Sequence, residues 1–319
     1  LRLQSIKTFL KKEKLFKTRK IYLNMKKKKA VELSKKPVKK KLLIKLPSFA
    51  KKISLDKSKK VSKFLKLGIK GFDQLIDANQ GIPIGSSILV EGGPGSGKTI
   101  FCLSTAMNLC KQGKKVLYMS FEEPENELIN HMKSFNWKVD EFIVKDILRI
   151  KRFDAIDISR SVEALLSAAK KELLIEIDPV FFPEDFKPDF VVIDSLTAIA
   201  SAFTGEESRF RIYMEQLFRY LERYNITCFL IREVSSPSHV GTTFKEQGEA
   251  VSFLSDGIIV IYNVIYEDGT RSAAIEILKL RGVNIKKKIV EFKIINKKGI
   301  EINANKILKK GKEGSFNLT

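Results

Sequence analysis

One glycine-rich segment constrains the fold of this chain more than any other part of its sequence. The run EGGPGSGKT at residues 91–99 fits the pattern G-x-x-x-x-G-K-[ST]. In that pattern, glycines let consecutive backbone N–H groups surround phosphate groups, the lysine reaches the β- and γ-phosphates, and the final hydroxyl contacts Mg²⁺. An apolar run at 86–90 precedes the segment and a helical pattern at 100–109 follows it. The loop therefore opens a helix whose N-terminus favours anions, and the sequence predicts a site for a nucleoside triphosphate.

The residues of this loop are expected to share the binding of the nucleotide. Lys98 is expected at the phosphates, and the hydroxyl of Thr99 is expected on the metal ion. A glycine-rich turn without a ligand is the alternative, and the strand and helix patterns on either side of the loop argue against it. The residues predicted to contact the nucleotide are Gly92, Gly93, Pro94, Gly95, Ser96, Gly97, Lys98, Thr99 and Ile100.

The excess positive charge of the chain lies within its first 66 residues. Residues 1–66 contain 25 Lys or Arg residues and three acidic residues, whereas basic and acidic residues balance in the rest of the chain. We therefore expect a basic, low-complexity and disordered arm at 1–66, one nucleotide-binding domain at 67–309, and a disordered tail at 310–319.

Three roles are open for the basic arm. It is predicted to be a nucleic-acid tether, an amphipathic segment on a membrane surface, or an inert solvated extension. Because the chain begins with Leu and its first methionine is Met25, an uncertain translation start is a further explanation.

Cysteine and histidine usage indicates a reducing compartment and no zinc site. Cys102, Cys110 and Cys228 show neither disulfide nor metal-ligand spacing, and His131 and His239 lie near no cysteine. The sequence contains no export signal and no apolar run of roughly 18 residues. We therefore expect a cytoplasmic protein without a transmembrane segment.

Apolar runs and helical patterns alternate along the first part of the body, which is typical of a parallel sheet with crossover helices. The predicted strands are 86–90, 115–120, 190–193 and 227–231, and the predicted helices are 98–112, 125–135, 161–174 and 208–224. The C-terminal third is β-rich, with predicted strands at 257–266, 273–280, 289–295 and 300–302 and turns at Asp268-Gly269 and Lys298-Gly299. We therefore predict an α/β fold, with a parallel sheet flanked by helices and closed on one edge by antiparallel strands.

Three carboxylates are predicted at the carboxyl ends of strands, where ligands bind in open α/β sheets. Asp194 ends the run FVVID and is the candidate ligand of Mg²⁺, with a cap of the following helix as the alternative. Glu122 and Glu123 follow the run KVLYMS and precede Pro124. Either glutamate can orient an attacking water, but acidic residues also favour any helix start, so the residues alone leave both roles open.

Four motifs, found in one order, resemble a known family. The runs GGPGSGKT, SFEEPENELI, VVIDSLTAI and EILKLRG are similar to those of the KaiC-type ATPases of the RecA superfamily, and the likeness covers residues 67–302. The resemblance implies a RecA-like core that binds ATP and Mg²⁺ and forms homo-oligomeric rings, commonly hexamers, with ATP between subunits. It also implies a catalytic role for Glu122 and Glu123. By the same resemblance, Lys279 and Arg281 reach the phosphates of the neighbouring subunit's nucleotide.

The residues around Lys279 and Arg281 add detail to this resemblance. The two cations lie two positions apart on a predicted strand, so both side chains are expected on one face, and two solvated strand charges are the alternative. The clock protein of this family carries a histidine four residues after the arginine, and here that position is Ile285.

The predicted function is that of a slow, Mg²⁺-dependent ATPase of a regulatory or signalling kind that acts with an unidentified protein partner. One alternative is a DNA recombination or repair ATPase similar to RadA, although no recognisable helix-hairpin-helix domain precedes the core. The other alternative is a protein that holds ATP without hydrolysing it, as a switch or an assembly factor.

Overall fold

The computed structural model describes residues 63–169, 182–183, 185–234, 250–265, 270–310 and 316–318. The basic arm up to residue 62, the predicted turn at Asp268-Gly269 and the end of the predicted helix 161–174 lie outside these described residues.

The strands and helices alternate through most of the chain, as the sequence predicts. The strands are β1 Phe64–Leu65, β2 Ile82–Pro83, β3 Ser87–Gly92, β4 Val116–Ser120, β5 Leu148–Arg152, β6 Phe190–Asp194, β7 Thr227–Glu233, β8 Gly257–Ile265, β9 Arg271–Leu280, β10 Val290–Ile295, β11 Gly299–Lys310 and β12 Phe316–Leu318. The α-helices are α1 Lys98–Lys111, α2 Glu125–Ser134, α3 Val139–Val144, α4 Ala155–Ala169, α5 Leu196–Ser201, α6 Glu207–Arg223 and α7 Ala250–Leu254.

One large sheet organises the body of the protein. Its strand order is β12-β11-β10-β9-β8-β3-β7-β6-β4-β5, and β1 pairs with β2 in a separate small sheet. The strands from β8 to β5 run parallel to their neighbours, whereas β9, β10, β11 and β12 pair antiparallel. The first strand of the β-rich third, β8, joins the two parts, since it is parallel to β3 and antiparallel to β9. This arrangement confirms the predicted fold class.

Short strands at the margins of the fold have no counterpart among the predicted strands. β5 has the sequence LRIKR, in which Leu148 and Ile150 alternate with charged residues. At the other edge, β12 pairs with Leu308–Lys310, although the sequence predicts a disordered tail at 310–319. Edge strands bury fewer side chains than central strands, so their apolar patterns are short and weak.

The helices cover both faces of the sheet because the central strands are apolar on both sides. In β3, Ile88 and Val90 belong to one buried cluster, while Leu89 belongs to the other. Helices α1 and α2 pack in the first cluster, and α5 and α6 pack in the second. A parallel sheet covered on both faces leaves its carboxyl edge as the open margin where loops meet a ligand.

The thiols of the described body are part of this core. Cys102, Cys110 and Cys228 are buried and free, and burial raises the pKa of each thiol. Among the helices that the structure describes, none has both the length and the apolar character needed to cross a membrane.

Candidate nucleotide-binding site

The glycine-rich loop joins β3 to α1 in a conformation that depends on glycine. Gly97 immediately precedes α1 with a φ of 96°, in the left-handed region. A Cβ atom at Gly92 would lie 2.5 Å from the carbonyl oxygen of Ile261 and 2.5 Å from the Oγ of Ser96. At Gly97 it would lie 2.9 Å from the Cδ1 of Ile294. The sequence pattern therefore reflects a steric requirement of this loop.

The loop forms a cradle that fits a phosphate group. A Cβ placed at Gly95 would meet no atom within 4 Å, so space is open beside the backbone there. The Oγ of Ser96 is buried and has no hydrogen-bond partner among the described residues. An unpaired buried hydroxyl is costly unless a ligand or water completes it, and the neighbouring helix N-terminus favours an anion.

The side chain of Lys98 lies inside the cradle and forms a hydrogen bond with the loop backbone. Its Nζ donates a hydrogen bond of 2.8 Å to the carbonyl oxygen of Gly93, and the residue is 8% exposed. Burial lowers the pKa of Lys98, while the negative charges of Glu233, Asp194 and Glu122 act in the opposite direction. The ammonium group therefore lies among carboxylates in a poorly solvated position, where a phosphate group is a favourable partner.

The predicted metal end of the site is built from α1, β4 and β6. The hydroxyl of Thr99 donates to Oδ2 of Asp194 at 3.1 Å, and the hydroxyl of Tyr118 donates to the same oxygen at 2.5 Å. Burial raises the pKa of Asp194 to about 6, the hydrogen bonds from Tyr118 and Thr99 lower it, and the charge of Glu122 raises it. A divalent cation would relieve this cost of ionisation, and a hydroxyl beside a carboxylate is a donor set that suits Mg²⁺.

Ser195, rather than Asp194, caps the helix that follows β6. The Oγ of Ser195 accepts a hydrogen bond of 3.2 Å from the N–H of Ala198. Asp194 instead contacts the residues of the loop and of β4. The alternative role of Asp194 as a helix cap therefore has no support in the geometry.

The two glutamates after β4 lie in different surroundings. The hydroxyl of Ser195 donates to Oε1 of Glu122, which ties Glu122 to the end of β6. Oε2 of Glu123 lies 3.3 Å from Nδ1 of His131 on α2, and the N–H of Glu123 donates to the hydroxyl of Ser120. Helix α2 begins at Glu125 with Pro124 as its N-cap, so both glutamates precede it. Of the two, Glu122 is the carboxylate linked to the loop end of the site.

Lys279 and Arg281 lie at the amino-terminal end of the parallel strands, whereas the loop of their own chain lies at the carboxyl end. Gly257, the first residue of β8, pairs with Ile88 of β3 and with Leu280 at the end of β9. Gly92, where the loop begins, lies four residues further along β3, or ~13 Å at about 3.3 Å per residue. The structure thus brings together the loop, Asp194 and Glu122, and it separates Lys279 and Arg281 from them.

The same two cations contact the C-terminal end of α7. Nζ of Lys279 donates to the carbonyl oxygens of Ser252 and Ser255 at 3.1 and 2.7 Å. The guanidinium of Arg281 donates to the carbonyl oxygen of Phe253 at 2.9 Å and to Oδ1 of Asp256 at 3.4 Å, and its side chain is 55% exposed. Lys279 and Arg281 thus converge on one turn, although Arg281 follows the end of β9 and does not lie within the strand.

Ile285, which stands where the clock protein has a histidine, packs against the core in this protein. Ile285 forms an isolated bridge with Ile76 and packs against the buried cluster that contains α1. An apolar residue at this position therefore supports the core, and no polar contact from it is available to a nucleotide.

Other residues of the site are not identified by the sequence pattern. Glu233, at the end of β7, is Cα partner of Gly92, and its charge acts on Lys98. Asn263 donates from Nδ2 to the carbonyl oxygen of Pro94 at 3.0 Å. Both residues lie in strands whose order across the sheet no sequence pattern supplies, so neither contact can be inferred from the sequence alone.

We expect Asp194→Asn to stabilise the nucleotide-free protein at neutral pH. The folded-state pKa of Asp194 is raised to about 6, whereas an unfolded aspartate titrates near 3.9. The folded protein therefore binds the carboxyl proton of Asp194 more tightly than the unfolded chain does. The stability that this protonation contributes is complete below about pH 4 and is lost as the pH rises through about 6. At pH 7.5 the variant should gain ~1–3 kcal/mol in the free energy of unfolding, measured by urea titration without Mg²⁺. The difference in free energy of unfolding between the variant and the wild type should be smaller at pH 5. A difference that is independent of pH would show that the ionisation of Asp194 is not its cause.

Comparison with known proteins finds related sequences over most of this chain. The family model for the KaiC ATPases matches residues 65–307. The circadian clock protein KaiC3 of Synechocystis is 30% identical over 251 residues, which cover 75% of this chain and 45% of that protein. The UPF0273 protein PH0284 of Pyrococcus horikoshii is 28% identical over 265 residues, which cover 78% of this chain and 97% of that protein.

A solved structure shows the same fold. The KaiC-like protein PH0186 of Pyrococcus horikoshii superimposes with a TM-score of 0.59 at 23% identity, over 76% of this chain and 99% of that protein. The chain spans less than half the length of the circadian clock relatives that it matches. Since the family match extends over most of the chain and includes the loop, Asp194 and the two cations, this protein belongs to the KaiC family of ATPases.

Proposed function

We propose that this chain is a Mg²⁺-dependent ATPase whose nucleotide site is completed by a neighbouring subunit of a homo-oligomeric ring. The observation that carries the proposal is the position of Lys279 and Arg281 at the end of the strands opposite the loop of their own chain. Cations at that distance cannot reach a nucleotide on their own loop, but they can reach one held by an adjacent copy in a head-to-tail arrangement. Such heterologous contacts generate closed rings when the rotation closes.

The loop residues would bind the triphosphate. Backbone N–H groups of the cradle would donate to the phosphates, and the hydroxyl of Ser96 would gain a partner that it lacks among the described residues. Lys98 would exchange its hydrogen bond to the carbonyl oxygen of Gly93 for one to phosphate oxygens. This exchange replaces a neutral acceptor with an anionic one, which is the stronger partner for a buried ammonium group.

Thr99 and Asp194 would hold the metal ion. Their oxygens already lie 3.1 Å apart at the start of α1 and the end of β6. When bound, Mg²⁺ neutralises charge on the phosphate oxygens. Asp194 would then remain ionised at neutral pH in spite of its burial, because a bound cation favours the charged form of the carboxyl group.

Glu122 would orient the attacking water and accept its proton. Its carboxylate is fixed through Oε1 by the hydroxyl of Ser195, and its charge acts on both Lys98 and Asp194. The second glutamate, Glu123, has its Oε2 3.3 Å from Nδ1 of His131 without a hydrogen bond among the described residues, and its charge affects the pKa of Asp194 less than that of Glu122 does. The neighbour's Lys279 and Arg281 would stabilise the charge that develops on the transferred phosphoryl group.

We expect Glu122→Gln to reduce ATP turnover far more than Glu123→Gln. Glutamine keeps the size of the side chain and can still accept from Ser195, but it cannot take a proton from water, and loss of a general base costs about 10²-fold or more. The Glu123 variant should lose less than about 10-fold, since that residue lies toward His131. Single-turnover hydrolysis of radiolabelled ATP would measure both variants, and equal losses would reverse the assignment.

Hydrolysis measured across a range of protein concentrations tests the proposed function. If a neighbouring subunit completes the site, turnover per subunit should rise with concentration as the chain assembles, and it should reach a plateau. Turnover that is constant from dilute monomer to assembled protein would overturn completion between subunits. Bound ATP that stays intact at every concentration would overturn the ATPase itself and would leave the nucleotide-held switch.

A further inference from the structure

A buried tyrosine contacts the predicted metal ligand from within the core. Tyr118 lies in β4 and is fully buried, and its Cα partner in β6 is Val192, two residues before Asp194. Residues two apart in a strand share a face, so the ring of Tyr118 lies beside Val192 and its hydroxyl reaches the carboxylate at the strand end. The hydroxyl donates to Oδ2 of Asp194 at 2.5 Å. The sequence KVLYMS gives no sign of this contact, because Tyr118 follows the apolar pattern of a core position.

The hydrogen bonds of Asp194 are unequally divided between its two oxygens. Oδ2 accepts from both Thr99 and Tyr118. In the part of the chain that the structure describes, no hydrogen bond to Oδ1 is found. A carboxyl group otherwise turns easily about its last torsion, which is broad and roughly two-fold. Two donors on one oxygen restrict this rotation and leave the other oxygen available as an acceptor.

The two donors differ in how they depend on the nucleotide. Thr99 belongs to the loop and is itself expected on the metal ion, so its hydroxyl changes partners when the site fills. Tyr118 lies outside the loop in the sheet core, where it belongs to the buried cluster on the α1 side of the sheet. Its hydrogen bond to Asp194 can therefore persist through binding and release of the nucleotide.

We propose that Tyr118 is a positioning residue that fixes the carboxylate of Asp194 for binding of Mg²⁺ and nucleotide. This inference rests on the proposed function, because it concerns the same metal site. Tyr118 does not touch the nucleotide or the metal ion; it acts through Asp194. Hydrogen-bond partners behind a metal ligand have this effect in other sites, where their loss costs about 10- to 100-fold in metal affinity.

The variant Tyr118→Phe removes the hydroxyl and keeps the ring. The test is a titration of Mg²⁺ at a fixed concentration of a fluorescent ATP analogue, for the wild type and the variant in parallel. We expect the half-saturating Mg²⁺ concentration to rise about 10- to 100-fold in Tyr118→Phe. The affinity for the analogue in EDTA should stay within about twofold of the wild-type value, because the loop is intact.

Tyr213 provides a matched control. It is 2% exposed, in helix α6, and its hydroxyl has no hydrogen-bond partner among the described residues. Tyr213→Phe therefore removes a buried hydroxyl that contacts no metal ligand, and its Mg²⁺ titration should match that of the wild type.

The outcomes separate a positioning role from a structural one. A purely structural role of Tyr118 would lower the melting temperature without Mg²⁺ and leave the half-saturating Mg²⁺ concentration unchanged, which would overturn the inference. Each titration is made below the melting temperature of that variant, so lost stability does not hide the result. If the wild type itself binds the analogue without any dependence on Mg²⁺, the proposed function fails and the inference with it. If the wild type depends on Mg²⁺ and Tyr118→Phe behaves identically, only the inference fails.

Discussion

Arg281→Ala is expected to reduce ATP turnover in the assembled protein by about 10³- to 10⁵-fold, the range for loss of an arginine supplied across an interface. Arg281 is half-exposed at the end of the sheet opposite its own loop, where its guanidinium lies 3.4 Å from Oδ1 of Asp256. This ion pair is open to solvent, so the guanidinium can exchange it for the phosphates held by a neighbouring copy. Steady-state hydrolysis at a concentration where light scattering shows full assembly would measure the effect. A variant that assembles and keeps more than a tenth of wild-type turnover would rule out the trans role.

Two further variants distinguish loss of the positive charge of Arg281 from disturbance of the local structure around it. Arg281 also donates to the carbonyl oxygen of Phe253, so its loss can disturb the end of α7. Arg281→Lys keeps a positive charge but loses the forked donor geometry, and it should retain activity between that of Ala and that of the wild type. Lys287→Ala removes an exposed charge six positions along the chain and should leave turnover unchanged.

Lys98→Ala is expected to abolish turnover, with a fall of about 10³-fold or more, because it removes the charged donor that we propose binds the phosphates. Lys98 is buried among carboxylates, and burial lowers its pKa. Keeping the ammonium group charged therefore reduces the stability of the folded protein. We therefore expect the variant to fold with a melting temperature no lower than that of the wild type in the absence of nucleotide. Stopped assays of phosphate release and thermal melts on the same samples would measure both quantities.

Lys111→Ala is the control for this variant. Lys111 is the last residue of α1 and is exposed, so the substitution removes a charge from the same helix at the end away from the loop. It should bind and hydrolyse ATP as the wild type does. A Lys98→Ala protein that still turns over ATP at the wild-type rate would mean that the glycine-rich loop is not the site of hydrolysis.

The sequence predicts the loop and the parallel strands because local chemistry determines both. The spacing of Gly92, Gly97 and Lys98 follows from how a backbone surrounds phosphates. Apolar runs as long as β3 and β6 are produced by burial on both faces of the sheet. The structure confirms these elements with ends shifted by one or two residues.

Other features depend on which strands are neighbours, and local sequence does not contain that information. The contact from Tyr118 to Asp194 follows from the pairing of β4 with β6. The distance of Arg281 from its own loop follows from the pairing of β8 with β3 and β9. The difference between Glu122 and Glu123 depends on Ser195 and on α2, so two adjacent identical residues cannot be ranked from the sequence.

Mixing the Lys98→Ala and Arg281→Ala proteins tests completion of the site between subunits most directly. Each variant alone lacks one half of every site, but in a mixed ring the intact loop of an Arg281→Ala subunit can meet the intact arginine of a Lys98→Ala neighbour. At equal amounts, about one quarter of the interfaces combine both intact halves, so turnover should recover to about a quarter of the wild-type value. No recovery after the subunits have been shown to exchange would contradict a site shared between neighbours.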